Sequence, residues 1–262
     1  MWKTIKRWYH QLGSPRYFYR FCEVVLPWLL PVSLALLAVG LVWGLVYAPV
    51  ERYQGDSYRI IYIHVPASSG ALMGYIAMGV AGLVALVWRM KMAEVMLKAL
   101  APFGAALAAV SLLTGALWGK PTWGTYWQWD ARMTSMLILL FLYLGIMALQ
   151  NAIRDPRQAA RAAALLAVVG VINVVIVKYS VEWLNTLHQG ATLKVVGESS
   201  IDASMKWPLL ISMAGLWLLY AANVLMRART EVLSRGGARG WAPRCGRASA
   251  RWRRAAPSAR PC

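Results

Sequence analysis

The sequence predicts an all-α integral membrane protein: six transmembrane helices, both termini cytoplasmic, and a tryptophan-rich loop on the outer face. Three observations carry this prediction. Of the 262 residues, 59% are hydrophobic and only 15% charged, with a mean hydropathy of +0.49, which is too apolar for an ordinary water-soluble domain. Six stretches have the length and apolarity that crossing a bilayer core demands, about 20 residues each. Basic residues, finally, fall unevenly between alternate connections, which fixes an orientation by the positive-inside rule.

The first 23 residues are aromatic and basic (Lys3, Lys6, Arg7, Arg16, Arg20) and lack a small-residue cleavage site. They read as a cytoplasmic segment rather than a removable signal peptide. The first span, Val24 to Tyr47, contains Pro27 and Pro31, residues that kink or shorten a helix. The remaining spans are Ile63 to Trp88, Leu100 to Leu117, Thr134 to Leu149, the short and Ala-rich Ala162 to Val177, and Pro208 to Met226. Together residues 24–226 form the membrane domain. The segment 227–262 is an Arg-rich tail with Gly, Ala, Pro and Ser and no apolar periodicity, expected to be unordered.

Twenty-one of the 28 Lys and Arg side chains lie in the N-terminal segment, the connections after spans two and four, and the tail; seven lie on the other side. The net charge of +18 is concentrated toward the tail, where it suits anionic lipid at the inner surface of the bilayer better than nucleic acid. Polar residues within spans, such as Asn173 and Ser111, are expected to hold helices together. The three cysteines, Cys22, Cys245 and Cys262, form no C-x-x-C pair, so neither a thiol relay nor a covalent C-x-x-C-H haem attachment is encoded. No phosphate-binding G-x-x-x-x-G-K-[ST] run occurs, and ATP use would belong to a partner.

The most informative stretch is Trp123-Gly-Thr-Tyr-Trp127-Gln-Trp129-Asp130, preceded by Trp118-Gly-Lys-Pro and followed by Arg132. Tryptophans gather at membrane interfaces generally, and that alternative stands beside the functional one. A cluster of indoles closed by Asp130 and Arg132 also builds a half-wet aromatic platform suited to a large planar ligand. Two of the three histidines flank it on the outer side. His64 stands just before Pro66 at the entry of the second span, and His188 lies in Val181 to Gly190, which reads as a short interfacial helix. His10 lies among solvated charges and has no assigned role.

A lone interfacial histidine is commonly just a hydrogen-bonded side chain. Two on one face, with the tryptophans between them, can clamp a haem iron from opposite sides as neutral imidazoles. Zinc is the chemical rival: outer-face carboxylates such as Glu51, Asp56, Asp130, Glu182, Glu198 and Asp202 could complete a site with the two histidines, but none stands at ligand spacing with a histidine, so the pattern lends it no support. Arg59 and Arg132 are candidates for the haem propionates, since guanidinium forks match carboxylates; lipid headgroups are their other use.

The segment from Trp118 to Thr134, with Tyr58-Arg-Ile-Ile-Tyr-Ile-His64-Val-Pro66 and Tyr179 to Gly190, resembles the tryptophan-rich haem-handling membrane proteins of cytochrome c biogenesis. Within them the chain resembles the cytochrome c maturation protein C family over about residues 1 to 230. The resemblance implies axial histidines at His64 and His188 and a haem surface of Trp118, Trp123, Trp127, Trp129 and Asp130. It further implies non-covalent haem b and delivery to a periplasmic haem chaperone at the bacterial inner membrane. The implied partners are the membrane and ATPase subunits of an ABC transporter and a small single-helix membrane subunit. No catalytic residue and no metal other than haem iron are expected. After about Arg235 the tail departs from the family pattern. Two other classes remain: a partner-binding subunit of a haem export complex with no haem of its own, and a b-type haem oxidoreductase subunit. Haem position and stoichiometry discriminate them.

Overall fold

The computed structural model describes residues 13–183, 188 and 201–237, and these fold as helices long and apolar enough to cross a membrane six times. They are α1 (Pro15–Val42), α2 (Ile61–Trp88), α3 (Lys91–Trp123), α4 (Ala131–Ala152), α5 (Pro156–Trp183) and α6 (Ala203–Gly237). A π-helical turn, Trp43–Tyr47, extends α1, and a 3-10 turn, Asp56–Ile60, leads into α2. Among the described residues there is no strand. Six bilayer-spanning helices make this a multi-pass protein of the inner-membrane type.

The helices are longer than the apolar stretches that announced them. α1 begins at Pro15, so part of the expected N-terminal segment is helical, and it runs unbroken through Pro27 and Pro31. Prolines are tolerated in such helices because the lost backbone bonds can be re-satisfied locally. α3 overshoots its predicted span at both ends, since Met92, Val95, Leu97 and Ala99 continue its buried stripe. The tail expected to be unordered from Arg227 is helical to Gly237. Ala228 and Val232 there prolong the packed face of α6 one turn at a time, and Glu231 accepts from Lys98 Nζ (2.9 Å) and Arg235 Nε (2.7 Å). Residues beyond 237 lie outside the described set.

Helix α2 is the hub and packs on α3, α5 and α6; α4 packs on α3 and α5. α1 is peripheral and packs mainly on α6, so its most apolar window is only 17% buried against 44% for α2. Lipid is no less apolar than leucine, so close packing of small residues has to hold such a bundle together. Three tyrosines do this by a common device, each ring lying over a glycine of the facing helix. Tyr143 covers Gly104 and donates to Ala71 O (2.7 Å), Tyr75 covers Gly170 and donates to Leu166 O (3.2 Å), and Tyr220 covers Gly74 and donates to Leu100 O (2.8 Å). Asn173 Nδ2 donates to Ser135 O (2.9 Å) and ties α5 to α4, the role expected of it.

A Cβ at Gly104 would run into the Tyr143 ring, whereas one at Gly145 would meet only the tip of Leu166 at 3.3 Å. Gly104→Ala is therefore expected to destabilise the bundle by about 1–3 kcal/mol and Gly145→Ala by much less. Thermal unfolding of the two variants in detergent checks this; equal losses would contradict the tyrosine-on-glycine packing.

Candidate functional site

The tryptophan-rich segment is not wholly a loop. α3 carries Trp118 through Trp123, with Pro121 inside it, and ends at Gly124, whose φ of +80° suits glycine and whose N–H donates to Lys120 O (3.0 Å). Lys120 Nζ donates to Gly124 O (3.1 Å) and Thr122 Oγ1 to Trp118 O (2.7 Å), so the last turn is closed by its own side chains. Only Thr125 to Trp129 remain as connection before α4.

Asp130 begins α4 as its N-cap: Oδ1 accepts from Met133 N at 2.8 Å. The carboxylate is buried, 9% exposed, and its second oxygen lies 2.8 Å from Nδ1 of His188. An ionised carboxylate only accepts, so the bonding network assigns the proton to Nδ1 and leaves the lone pair on Nε2. Burial pushes the pKa of His188 below the ordinary imidazole value. The hydrogen bond and charge of Asp130 oppose that, and the Arg132 guanidinium adds to the lowering.

His64 reaches the same arrangement by different means. It is the fourth residue of α2, a turn inside the helix rather than at its entry, and Pro66 lies within the helix as well. Its Nδ1 is 3.0 Å from Thr114 Oγ1. The single hydroxyl proton of Thr114 is directed to Val110 O at 2.7 Å, so Oγ1 accepts from Nδ1–H, and Nε2 is again the unprotonated nitrogen. Gly115 makes the room: a Cβ there would lie 3.1 Å from His64 Cε1.

His64, Arg132 and His188 line one cavity of about 40 Å³, completed by Ser68, Ser111 and Met136 among others. Ser111 thus serves the cavity wall rather than a helix–helix bond. The volume suits about three water molecules. A planar ligand of porphyrin size therefore needs the two imidazoles to part.

The expected aromatic platform is divided. Trp118 stands edge-on to His64 (centroids 5.7 Å, 75°) and donates Nε1–H to Gln54 Oε1 (2.7 Å); Trp123 stands edge-on to His188 (4.6 Å, 61°). Trp127 and Trp129 pair with each other (5.2 Å, 76°) and do not line the cavity, and Trp129 is 75% exposed. The indole N–H of Trp127 is buried without a partner among the described residues.

Arg59 is not in the cavity wall. Its Nε donates to Asp56 Oδ1 (2.9 Å) and its Nη1 to Leu45 O (2.9 Å) and Gly44 O (3.3 Å), so it fastens α2 to the end of the α1 extension. The helix expected over Val181 to Gly190 falls largely outside the described residues; Val181 to Trp183 close α5. Among the described residues no three His, Cys, Asp or Glu side chains converge as a metal cluster. Thr114, Gly115 and Ser68 were not singled out from sequence, yet the signal was there: Thr114 lies one turn before Trp118, and Ser68 one turn after His64.

A family model described as Heme exporter protein C matches residues 8–243. The chain is 48% identical over 241 residues to Heme exporter protein C of Escherichia coli K12, covering 92% of this chain and 96% of that one. The counterpart from Haemophilus influenzae is 44% identical over 241 residues, with the same coverage. That from Bradyrhizobium diazoefficiens is 47% identical over 224 residues, covering 86% of this chain and 85% of that one.

Asp130 uses two acceptor oxygens where asparagine offers one. In Asp130→Asn, imidazole NMR of the ligand-free protein is expected to show an Nε2–H tautomer of His188 that is absent from the parent. His188 should titrate below about 6.5 in the parent, and lower still in the variant, because the anion that raises its pKa is gone. A parent value at or above 6.5 would contradict the burial account.

Proposed function

The chain belongs to the Heme exporter protein C family, and from that premise we propose that it is a non-enzymatic haem-handling protein of cytochrome c maturation. In this reading haem b is its cargo, bound non-covalently by His64 and His188 as axial ligands and presented to a periplasmic haem chaperone. The observation that carries the reading is that two histidines from distant parts of the chain line one cavity, each with Nδ1 held by a hydrogen-bond acceptor, which assigns the lone pair to Nε2. That is the state in which imidazole ligates iron.

Arg132, in the cavity wall, is the guanidinium for a propionate; Arg59, held at the end of α1, is a weaker candidate for that role. Trp118 and Trp123 brace the two imidazoles, while Trp127 and Trp129 lie farther out and offer an indole donor and an exposed ring. Haem iron accepts the two nitrogen lone pairs when bound. The protein's share is to hold both rings in one tautomer, to receive a carboxylate at Arg132, and to open the cavity. The basic connections and tail support a cytoplasmic location for both termini, which puts this end of the bundle in the periplasm. An ABC transporter with its ATPase and a small single-helix subunit are the partners that a haem exporter component calls for.

The test is the oxidised and reduced absorption spectrum of the purified protein. A low-spin, six-coordinate haem is expected in the parent, converted to a high-spin or haem-depleted form in both His64→Ala and His188→Ala. A parent that neither carries nor takes up haem would favour a partner-binding subunit instead.

A further inference from the structure

The two imidazoles are held by partners of different charge, and we propose that this makes the axial positions inequivalent. His188, backed by the Asp130 carboxylate, is the strong donor that the chain keeps; His64, backed by the neutral Thr114 hydroxyl, yields first to an incoming ligand. The inference rests on the bis-histidine reading above and deepens it, with Asp130 as the positioning residue.

A carboxylate accepting the Nδ1–H draws the proton toward itself and leaves the ring with imidazolate character, which strengthens donation from Nε2. Asp130 is well placed to do this. It is only 9% exposed, so water does not dilute its charge, and Met133 N–H fixes its other oxygen at 2.8 Å. Thr114 Oγ1 already donates its own proton to Val110 O and accepts as a neutral hydroxyl, a weaker pull by about half.

Packing differs in degree in the same direction: the Trp123 ring stands edge-on to His188 at 4.6 Å, and Trp118 stands edge-on to His64 at the longer distance of 5.7 Å. An acceptor's ligand arriving at the iron therefore takes the place of His64, a lone-pair exchange without electron transfer, while His188 retains the cargo until transfer is complete.

Carbon monoxide is the probe, added to the reduced, haem-loaded full-length protein in detergent. The Fe–C and C–O stretching frequencies report the donor strength of the ligand that remains opposite. Asparagine caps a helix as well as aspartate does, and valine replaces Thr114 at equal volume, so both variants keep the fold. Displacement of His64 leaves His188 opposite: Asp130→Asn is expected to shift the frequency pair and Thr114→Val to leave it unmoved. The reverse pattern, a shift in both or in neither, or no carbonyl adduct at all overturns the proposal. A parent lacking the bis-histidine spectrum before gas is added overturns the functional reading itself, and is seen separately.

Discussion

The start of α4 and the placement of His188 both depend on one buried carboxylate with two duties. Asp130 caps α4 with one oxygen and holds His188 with the other. Burying a charge costs several kcal/mol unless it is well compensated. Here the compensation includes a backbone N–H, the positive end of the α4 dipole, an imidazole proton and the charge of Arg132. Because the cap fixes Asp130 relative to α4, the position of His188 follows from the bundle, even though the residue lies in a connection far along the chain.

His64 inherits its place from helix packing. α2 is seated on α5 and α6 by tyrosine rings over glycines and on α3 by Leu107 against Gly70, and its packing on α3 brings Thr114 within hydrogen-bonding distance of the His64 ring. One imidazole is thus set by a helix cap and the other by a helix crossing. Their cavity, about 40 Å³, is small beside a porphyrin, and each imidazole tautomer is kept by its partner.

The six helices were legible because an uncharged apolar run of bilayer length is rarely anything but a membrane span. Their ends were not, since a proline at the first helical position and the continuation of buried stripes rather than hydropathy mark them: Pro15 opens α1, Met92 and Val95 carry the start of α3, and Val232 carries α6 beyond the apolar stretch. Both histidines, Asp130 and Arg132 were legible from residue chemistry and from family resemblance. The division of the tryptophans was not, because composition cannot say that Trp118 and Trp123 turn edge-on to imidazoles while Trp127 and Trp129 turn to each other. Nor could it give Arg59 its partners, since the carbonyls of Gly44 and Leu45 come within reach only through the π-helical turn after α1.

Met136 shares the cavity wall with the two histidines, so the nearest rival to paired imidazoles is a His/Met pair. The near-infrared magnetic circular dichroism of the ferric, haem-loaded protein separates the two directly, because its charge-transfer band moves with the identity of the axial pair. A band at the bis-imidazole position, unchanged in Met136→Leu, is what this account predicts. A band at the histidine–methionine position, lost in Met136→Leu, would contradict it.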